Sequence, residues 1–415
     1  MKQEFNTICV VGLGYVGLPT AATFAARGLD VIGLEVSEDV VETINQGQAH
    51  IVEPDLDMLV KSAVTTGKLR ATVTPEPADV FILSVPTPIT EDKEPDVSCI
   101  RSAITAIAPV LVQGNLIILE STAPVGSTEM MIKTVANLRE DLHIPLDRST
   151  RGDLLFVHCP ERVLPGKIIT ELVENDRIIG GFTPEAATKA AELYSSFVRG
   201  EMFLTDDRTA EMVKLVENSY RDVNIAFANE LSMICDEKNI NVWSLIKLAN
   251  RHPRVNVLQP GPGVGGHCIA VDPWFIVAAS PERAKLIATA RQVNDYKPQY
   301  IVEKIISAAD KFKKPVIACL GLAFKADIDD LRESPAVTIV KQLAASGCSE
   351  LLAVEPYIET LPAFLAGDRI TLVSLDNALQ QADIVVLLVD HKQFKNVKRD
   401  ALNSKIVVDT RGVWG

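Results

Sequence analysis

Residues 7–17 read TICVVGLGYVG, and this stretch decides the fold of the chain. Its first five residues are mostly β-branched and apolar, which is typical of a buried parallel strand. The strand leads into the motif GxGxxG, which is followed by an Ala-rich helical segment at 18–26, a second apolar strand at 31–34 and the acid Glu35. Strand, glycine motif, helix, strand and acid together make the full dinucleotide-binding fingerprint.

The three motif glycines have separate tasks in such a site: Gly12 allows the tight turn, Gly14 lets a pyrophosphate approach, and Gly17 lets helix and strand pack. The helix N-terminus offers N–H groups and a partial positive charge to the phosphates. Glu35 is expected to bind a ribose hydroxyl and to repel a 2′-phosphate, which favours NAD over NADP. The predicted cofactor contacts in this region are Gly12, Gly14, Tyr15, Val16, Gly17 and Glu35. A glycine turn that binds no nucleotide is the alternative, and the complete fingerprint disfavours it.

The chain has 415 residues, too many for one hydrophobic core, so two or three domains are expected. Further buried strands are predicted at 80–85, 116–120, 155–157, 316–320, 351–354, 384–389 and 406–409. Between the two groups of strands, a helical pattern without Pro or Gly runs from 208 to 239. We therefore predict an α/β fold of two Rossmann-like domains with parallel sheets, joined by a central helical segment. The expected domains are 1–200 for NAD, 201–305 for the helical segment and 306–415 for the second Rossmann-like domain.

Composition narrows the class of protein. Hydrophobic residues make up 47% and charged residues 23%, which is ordinary for a globular protein. The net charge of −13 argues against binding of nucleic acid, whose phosphates need a basic surface. We expect a cytoplasmic protein without a membrane segment, because neither a signal peptide nor a long apolar run is evident. The seven cysteines form no CxxC pair, so neither a disulfide framework nor a metal site is expected.

Polar side chains follow the strands of the first domain, where ligands of open α/β sheets bind. Thr87 comes after one strand, and Thr122 and Thr128 come after the next, so we expect all three near the cofactor. They could also serve as turn or N-cap residues, and both roles can hold at once. A later loop, bounded by prolines, carries Glu161 and Arg162. These two form either a surface ion pair or an acid/base group and a clamp for a substrate.

Lys214, Asn218 and Arg221 share one stripe of the helix predicted at 208–239. A solvated polar face is the usual explanation of such a stripe. The three also suggest groups that converge on an anion or on a developing oxyanion. A long helix of this kind, placed between two domains, also predicts a homodimer. Residues 251–254 read RHPR and form a basic cluster suited to phosphate.

A second glycine-rich stretch, residues 261–274, reads GPGVGGHCIAVDPW and places four glycines ahead of Cys268. Glycine allows unusual backbone conformations and the close approach of a ligand. A thiol held near backbone N–H groups can become a nucleophile. A buried cysteine in a tight turn is the alternative. Together with NAD, a nucleophilic cysteine suggests oxidation through a thiohemiacetal to a thioester, followed by hydrolysis to an acid.

The last domain repeats the strand–helix pattern without a GxGxxG motif, so we expect it to hold a different ligand. Its residues 382–385, ADIV, echo residues 78–81, ADVF, of the first domain. Lys325, Arg332 and Arg411 lie at strand ends or in the loops after them, where the phosphates of a nucleotide would bind. Phe324 could belong to the core or could stack on a ligand.

Six segments, in order and over nearly the whole chain, resemble the UDP-glucose/GDP-mannose dehydrogenase family. They are residues 12–17, 121–126, 159–162, 214–230, 261–274 and 321–335. The resemblance implies four-electron oxidation of a sugar C6 alcohol to a carboxylate with two NAD and one water. Segments 251–256 and 261–274 further resemble the members that oxidise UDP-N-acetyl-D-mannosamine for a bacterial surface polysaccharide, enterobacterial common antigen. That sugar nucleotide is the expected substrate, with UDP-N-acetylglucosamine and UDP-glucose as alternatives.

The resemblance also implies catalytic roles. Cys268 would trap the aldehyde and carry the thioester. Lys214 and Asn218 would steady the C6 oxygen, and Lys214 would also take part in proton transfer. The family's further contacts with the sugar nucleotide match a set of residues in this chain. That set is Arg162, Val163, Lys214, Asn218, Arg221, His252, Arg254, Gly265, Phe324, Lys325 and Arg411.

The remaining implied roles concern water and the cofactor. Asp272 and Thr122 match residues that order the hydrolytic water, and Glu161 matches its general base. Arg332 matches a residue that reaches the cofactor. The chain departs from the family at Pro165, where UDP-glucose members carry a second Glu, so water activation would rest on Glu161 alone or be arranged differently.

Two functions of other classes stay open. A two-electron β-hydroxyacid dehydrogenase would share the first domain and a helix with a catalytic lysine, but it has no use for Cys268 or the last domain. A non-catalytic protein that binds a nucleotide sugar would keep the clefts without needing Lys214, Asn218 and Cys268 together.

Overall fold

The computed structural model describes residues 5–266, 268–347, 350–367 and 369–414. The chain forms two compact units, Met1–Glu217 and Asn218–Gly415. His267 of the second glycine-rich stretch lies outside the described residues. Within the described part, no helix is both long and apolar enough to cross a membrane.

An eight-stranded sheet organises the first unit. Its strands are β1 (Thr7–Val11), β2 (Asp30–Leu34), β3 (Leu69–Thr72), β4 (Val80–Leu83), β5 (Leu116–Leu119), β6 (Leu155–His158), β7 (Arg177–Gly181) and β8 (Met202–Asp206). They lie in the order β3-β2-β1-β4-β5-β6-β7-β8. The first six strands are parallel, while β7 runs antiparallel to β6 and parallel to β8. The predicted parallel sheet therefore holds up to β6, and the last two strands reverse.

Helices cover both faces of this sheet. They are α1 (Gly17–Ala26), α2 (Glu38–Asn45), α3 (Leu56–Thr65), α4 (Ser98–Ile107), α5 (Ser127–Leu138), α6 (Ile168–Glu174) and α7 (Pro184–Tyr194). Alternate residues of β1 enter opposite cores: Ile8 and Val10 pack on one side, and Cys9 and Val11 on the other. A strand covered on both faces must be apolar throughout, which explains its unbroken hydrophobic run.

A five-stranded parallel sheet organises the second unit. Its strands are β9 (Val316–Leu320), β10 (Glu350–Val354), β11 (Ile370–Leu372), β12 (Ile384–Leu387) and β13 (Ile406–Asp409), in the order β11-β10-β9-β12-β13. The unit boundary falls within the long helix α8 (Asp207–Glu237). The later helices are α9 (Val242–Ala249), α10 (Asp272–Ala279), α11 (Lys285–Ala309), α12 (Pro335–Ser346), α13 (Leu375–Gln381) and α14 (Lys392–Lys395). Two Rossmann-like sheets, with a helical segment between them in the sequence, confirm the predicted fold class, while the three domain boundaries stay a prediction.

The second sheet repeats the construction of the first half of the first sheet. Gly321 follows β9 with φ +92°, as Gly12 follows β1 with φ +87°. Glu355, just after β10, accepts the N–H groups of Leu322 and Ala323, as Glu35 accepts the N–H of Leu13. Asp383 and Asp79 each accept a backbone N–H at the start of a neighbouring strand. The similar sequences ADIV and ADVF are thus one part of a structural arrangement that both sheets share.

Candidate functional site

The first glycine-rich loop has the backbone that a dinucleotide site needs. A Cβ at Gly12 would lie 2.6 Å from the carbonyl oxygen of Ser84, and one at Gly17 would lie 1.9 Å from the carbonyl oxygen of Gly12. No described atom lies within 4 Å of a Cβ built at Gly14. The loop therefore packs tightly at Gly12 and Gly17 and is open at Gly14, where a ligand can reach the backbone.

Glu35 joins this loop to the end of β2. One carboxylate oxygen accepts the N–H of Leu13 at 2.9 Å, and the other accepts the N–H of Val36 at 2.8 Å. Among the described residues, α1 has neither a side-chain cap nor an acid in its first turn. The positive end of the α1 dipole is therefore available to bind an anion. The open glycine, the uncapped helix and the carboxylate fit a nicotinamide dinucleotide.

Two of the predicted threonines meet beyond the strand ends. The hydroxyl of Thr87 donates to the carbonyl oxygen of Thr122 at 2.6 Å, and both residues are half-buried. Tyr15 and Val16 lie on the turn between β1 and α1, with the Tyr15 ring exposed. All four residues thus follow the carboxyl ends of strands, and their contact with the cofactor stays a prediction.

Thr128 is held by a residue that the sequence patterns did not single out. Its N–H and its hydroxyl each donate to the same oxygen of Glu211 at 2.8 Å, and the N–H of Gly126 donates to the other oxygen at 2.6 Å. Glu211 is fully buried, and burial raises the pKa of its carboxyl group to about 7. The carboxylate caps the start of α5 and ties it to α8. The role of Thr128 at the cofactor remains a prediction beside this structural one.

The loop after β6 is fixed at several points. The Arg162 guanidinium makes two contacts with Glu217, the shorter at 2.6 Å, and donates to the carbonyl oxygen of Asp176 at 3.1 Å. The buried Glu53 accepts the N–H groups of Gly166 and Ile168 at 2.8 and 2.7 Å. Both halves of the loop are therefore anchored. Val163 is half-buried within it, and Pro165 is exposed.

Glu161 contacts a buried arginine. The Nη2 of Arg177, on β7, donates to Oε2 of Glu161 at 3.0 Å, while the N–H of Arg162 donates to Oε1 at 2.6 Å. A second buried carboxylate, Glu120, lies 3.4 Å from Nη1 of Arg177. Sequence reasoning missed Arg177 and Glu120, although Glu120 stands at the end of the predicted strand 116–120.

In the second unit, Asn218 and Asp272 are joined by a hydrogen bond from the amide of Asn218 to Oδ2 of Asp272. Both side chains are buried. Asp272 is the first residue of α10. On α8, Lys214 is half-buried and Arg221 is exposed, so the predicted stripe differs in exposure along its length.

The second glycine-rich stretch packs on the loops after β9. A Cβ at Gly265 would lie 2.5 Å from the carbonyl oxygen of Glu333, 2.6 Å from Pro335 and 3.1 Å from Cβ of Phe324. Cys268 is exposed, and its carbonyl oxygen accepts the N–H of Asp272 at 2.8 Å. The backbone turn that begins at Cys268 therefore ends at Asp272, whose carboxylate accepts the hydrogen bond from Asn218.

The start of this stretch is held by two further groups. The N–H of Gly261 donates to Asn229 on α8 at 2.9 Å. A Cβ at Gly261 would lie 2.6 Å from Nη1 of Arg411. Arg411 donates to Asp390 at 2.8 and 3.0 Å; although burial opposes the shift, Arg411 and Lys395 lower the pKa of Asp390 to about 2. Arg411 is thus oriented beside the glycines.

The other predicted substrate residues are more exposed. His252 and Arg254 are exposed, and the N–H of Arg254 donates to the His252 ring at 3.3 Å. Lys325 is half-buried, and the exposed Arg332 pairs with Asp330 at 2.7 Å. Their assignment to substrate and cofactor stays a prediction. Within the described residues, no group of three or more His, Cys, Asp or Glu side chains is arranged to hold a metal ion.

Three family models match the chain in succession. They are the NAD binding domain of the UDP-glucose/GDP-mannose dehydrogenase family at residues 6–198, its central domain at 208–296 and its UDP binding domain at 318–415. The NAD binding model covers the fingerprint described above and supports NAD as the cofactor.

Individual relatives are similar over their full length. An NDP-N-acetyl-D-galactosaminuronic acid dehydrogenase of Ralstonia nicotianae is 60% identical over 99% of this chain and 97% of the relative. A UDP-N-acetyl-D-mannosamine dehydrogenase of Yersinia pestis is 57% identical over 99% of this chain and 100% of the relative. The solved structure of UDP-D-ManNAc dehydrogenase from Pyrococcus horikoshii superposes with a TM-score of 0.88 at 39% identity, covering 99% of this chain and 96% of that one.

Proposed function

The chain belongs to the UDP-glucose/GDP-mannose dehydrogenase family, and we propose that it oxidises the C6 alcohol of UDP-N-acetyl-D-mannosamine to the carboxylate. The observation that carries the proposal is the second glycine-rich stretch, in which an exposed Cys268 leads into Asp272, itself bonded to Asn218. A two-electron dehydrogenase would need no such thiol. The overall reaction converts CH₂OH and one water to a carboxylate with loss of two hydrides and three protons.

The first oxidation breaks one C6–H bond and the O–H bond. Bound NAD supplies the acceptor for a hydride in each of the two oxidations. Lys214 and Asn218 are the groups that we assign to the C6 oxygen. Lys214 would move the hydroxyl proton, and the Asn218 amide would donate to the oxygen as its charge develops. The aldehyde is the product of this step.

The second oxidation needs Cys268. Its sulfur bonds to C6 of the aldehyde while the thiol proton passes to the C6 oxygen, which gives a thiohemiacetal. Loss of the second C6 hydride together with the proton of that hydroxyl group leaves a thioester. Water ordered by Asp272 and Thr122 then gives a proton to Glu161 while its oxygen bonds to C6. The C–S bond breaks with its electron pair on sulfur, and the acid is released. These roles are proposals that the family resemblance and the local geometry support.

The choice of sugar rests on the relatives. One of those described above acts, by its name, on UDP-N-acetyl-D-mannosamine, and another is named for N-acetyl-D-galactosaminuronic acid. Both names specify a hexose with an acetamido group, which supports an N-acetylhexosamine. Because the Ralstonia nicotianae relative has the higher identity, UDP-N-acetyl-D-galactosamine is the second candidate substrate.

Three further parts of the proposal concern the oligomeric state, the cellular location and the use of the product. A homodimer through α8 is supported by Met212, Val216 and Tyr220, which are exposed and spaced four residues apart on that helix. A cytoplasmic location is proposed because NAD and nucleotide sugars are metabolites of that compartment. The product would serve synthesis of a bacterial surface polysaccharide, for which enterobacterial common antigen is the proposed case.

The ratio of NADH formed to sugar nucleotide consumed tests the proposal. UDP-N-acetylmannosamine, UDP-N-acetylgalactosamine, UDP-N-acetylglucosamine and UDP-glucose should be compared in parallel. A ratio of two with the mannosamine compound preferred is the expected result. A ratio of two with another sugar preferred would overturn the substrate alone. A ratio of one would overturn the four-electron reaction and the role of Cys268.

A further inference from the structure

Arg177 lies at the centre of a buried polar cluster in the first unit. Its side chain is only 5% exposed, and its guanidinium lies 4.4 Å from the ring centre of Tyr194. One side of the guanidinium contacts Glu161 at 3.0 Å and the other contacts Glu120 at 3.4 Å. Cys159 is a further neighbour, with its sulfur 3.8 Å from Nη1. A single buried cation therefore bridges two carboxyl groups.

The two carboxyl groups receive different kinds of hydrogen bond. Glu161 accepts the N–H of Arg162 and the guanidinium of Arg177, and both are groups that can only donate. Glu120 contacts the hydroxyls of Thr20 and Tyr194, each at 3.2 Å. A hydroxyl can donate to a carboxylate or accept from a protonated carboxyl group. Among the described residues, donors alone therefore surround Glu161, whereas Glu120 has two hydroxyls that can also accept a hydrogen bond, besides the Arg177 guanidinium at 3.4 Å.

The charges of the cluster favour a proton on Glu120. Two carboxylates beside one guanidinium would leave an uncompensated buried negative charge, which is costly. Burial and the neighbouring Glu161 raise the pKa of Glu120 to about 7. Burial also raises the pKa of the other two titratable neighbours, Cys159 and Tyr194, so both stay neutral near that pH. One proton on Glu120 makes the buried cluster neutral and leaves the negative charge on Glu161.

We propose that Arg177 and Glu120 are positioning residues for Glu161: Arg177 fixes its carboxylate, and Glu120 holds the proton that the two carboxyl groups share. This inference rests on the proposed function, in which Glu161 takes a proton from the hydrolytic water. Arg177 and the N–H of Arg162 each hold one carboxylate oxygen of Glu161. These two hydrogen bonds fix the orientation in which the carboxylate accepts a proton. A carboxyl group can act as a base near neutral pH only when it is deprotonated. Because Glu120 holds the shared proton, Glu161 stays available to accept one.

Glu120→Gln is the first variant to test, because glutamine has the shape of a protonated glutamic acid and does not titrate. Burial also raises the pKa of Glu211 to about 7, so every protein in this test carries Glu211→Gln. The infrared difference spectrum between pH 6 and pH 8, recorded without substrate, is expected to contain a protonated-carboxyl band when Glu120 is present. Glu120→Gln should lose that band, and the matched control Glu174→Gln, at an exposed position, should keep it. A spectrum that Glu120→Gln leaves unchanged would overturn the proton assignment.

The kinetic test uses the full chain with NAD and UDP-N-acetylmannosamine. Glu120→Gln should keep kcat at pH 6 within about twofold and should lack the inflection near pH 7 that we expect in the wild type. Arg177→Lys keeps the charge without the two-sided contact, so kcat should fall about tenfold or more with KM nearly unchanged. Mass spectrometry of the quenched enzyme should then find the sugar nucleotide covalently attached at Cys268, because hydrolysis has become slow.

The outcomes separate the inference from the proposed function. The wild type is measured first, and a yield of one NADH per sugar would overturn both, since no thioester would then await water. With a wild-type yield of two, a wild-type pH profile in Glu120→Gln would overturn the inference alone. Unchanged kcat and no adduct in Arg177→Lys would do the same. If Arg177→Lys does not fold, Glu120→Gln decides through its spectrum and its pH profile.

Discussion

The side-chain amide of Asn218 donates a hydrogen bond to Oδ2 of Asp272, and both side chains are buried. An amide NH₂ group carries two hydrogens in one plane, so the bond to Asp272 fixes the direction of the second. Asp272 is itself held at the first turn of α10, and its N–H donates to the carbonyl oxygen of Cys268 at 2.8 Å. The amide that we assign to the C6 oxygen is therefore oriented by the same turn that carries the thiol.

Asn218→Asp tests this orientation. The variant keeps the shape of the side chain but puts a second carboxylate against Asp272 and removes the amide donor. We expect kcat to fall by about 10²–10³, the usual effect of losing one oxyanion-stabilising donor. Steady-state kinetics should show the loss in kcat more than in KM. The matched control is Asn224→Asp, on the same helix with its amide bonded to the carbonyl oxygen of Tyr220. Equal kinetics in both variants would contradict the assignment.

Cys268→Ser tests the nucleophile. A serine hydroxyl is a weaker nucleophile than a thiol and does not form a thioester, so the second oxidation should stop. We expect at most one NADH per sugar nucleotide, with substrate binding retained. Spectrophotometric counting of NADH measures the yield. Cys99→Ser, at a half-buried position on α4, should keep a yield of two. A yield of two in Cys268→Ser would refute the role of the thiol.

The elements that the sequence predicts well are those whose signal is local. The strands at 7–11, 316–320 and 406–409 have the bounds that their apolar runs predict. The strand β7 was not predicted, because its sequence RIIGG begins with a charge and ends with two glycines. A Cβ at Gly181 would lie 2.5 Å from the backbone nitrogen of Ala187, so helix packing requires that glycine. Only the tertiary structure explains this composition.

The buried groups that hold the predicted residues in place were missed for the same reason. Glu53 anchors the loop at Gly166, which is 113 residues away in the chain. Arg177 meets Glu120 across 57 residues. A charged residue in an apolar pattern predicts exposure, because burying a charge is costly unless a partner offsets it. Since the partners are remote in sequence, no local pattern identifies the pair.

Gly265→Ala tests the packing of the second glycine-rich stretch. The added methyl group would meet the carbonyl oxygen of Glu333 and the ring of Pro335 at 2.5 and 2.6 Å, so the loop must shift. Overpacking of this kind costs about 1–3 kcal/mol, and displacement of the turn should also lower kcat. Thermal unfolding and steady-state kinetics measure the two effects. Gly367→Ala is the control, because no described atom lies within 4 Å of its new Cβ. A melting temperature and kcat equal to those of the control would contradict this packing.

Glu35→Gln tests the choice between NAD and NADP. The carboxylate now accepts the N–H of Leu13, and its charge should repel a 2′-phosphate. Glutamine removes that charge, so KM for NAD should rise while KM for NADP falls, which reduces the preference by about tenfold or more. Initial rates with each cofactor measure the ratio. Glu38→Gln removes an exposed charge three residues later and should leave the preference unchanged. An unaltered preference in Glu35→Gln would exclude this role.

The stability of the first unit should depend on pH through Glu211. Burial raises the pKa of this carboxyl group from 4.5 to about 7, so the folded state binds the proton more tightly than the unfolded state does. The free energy of unfolding contributed by Glu211 is therefore fully present below pH 4.5. It is lost as pH rises to about 7, by about 3 kcal/mol at most.

Glu211→Gln removes this dependence, because the amide does not titrate. Between pH 5 and pH 7.5, the melting temperature of the wild type should fall relative to that of the variant, and above pH 7.5 the difference should stay constant. Thermal unfolding of the full chain across this range measures the effect. The control Glu201→Gln, at an exposed position, should follow the wild type at every pH. Parallel curves for the wild type and Glu211→Gln would mean that the hydrogen bonds from Gly126 and Thr128 outweigh burial and keep the carboxylate charged.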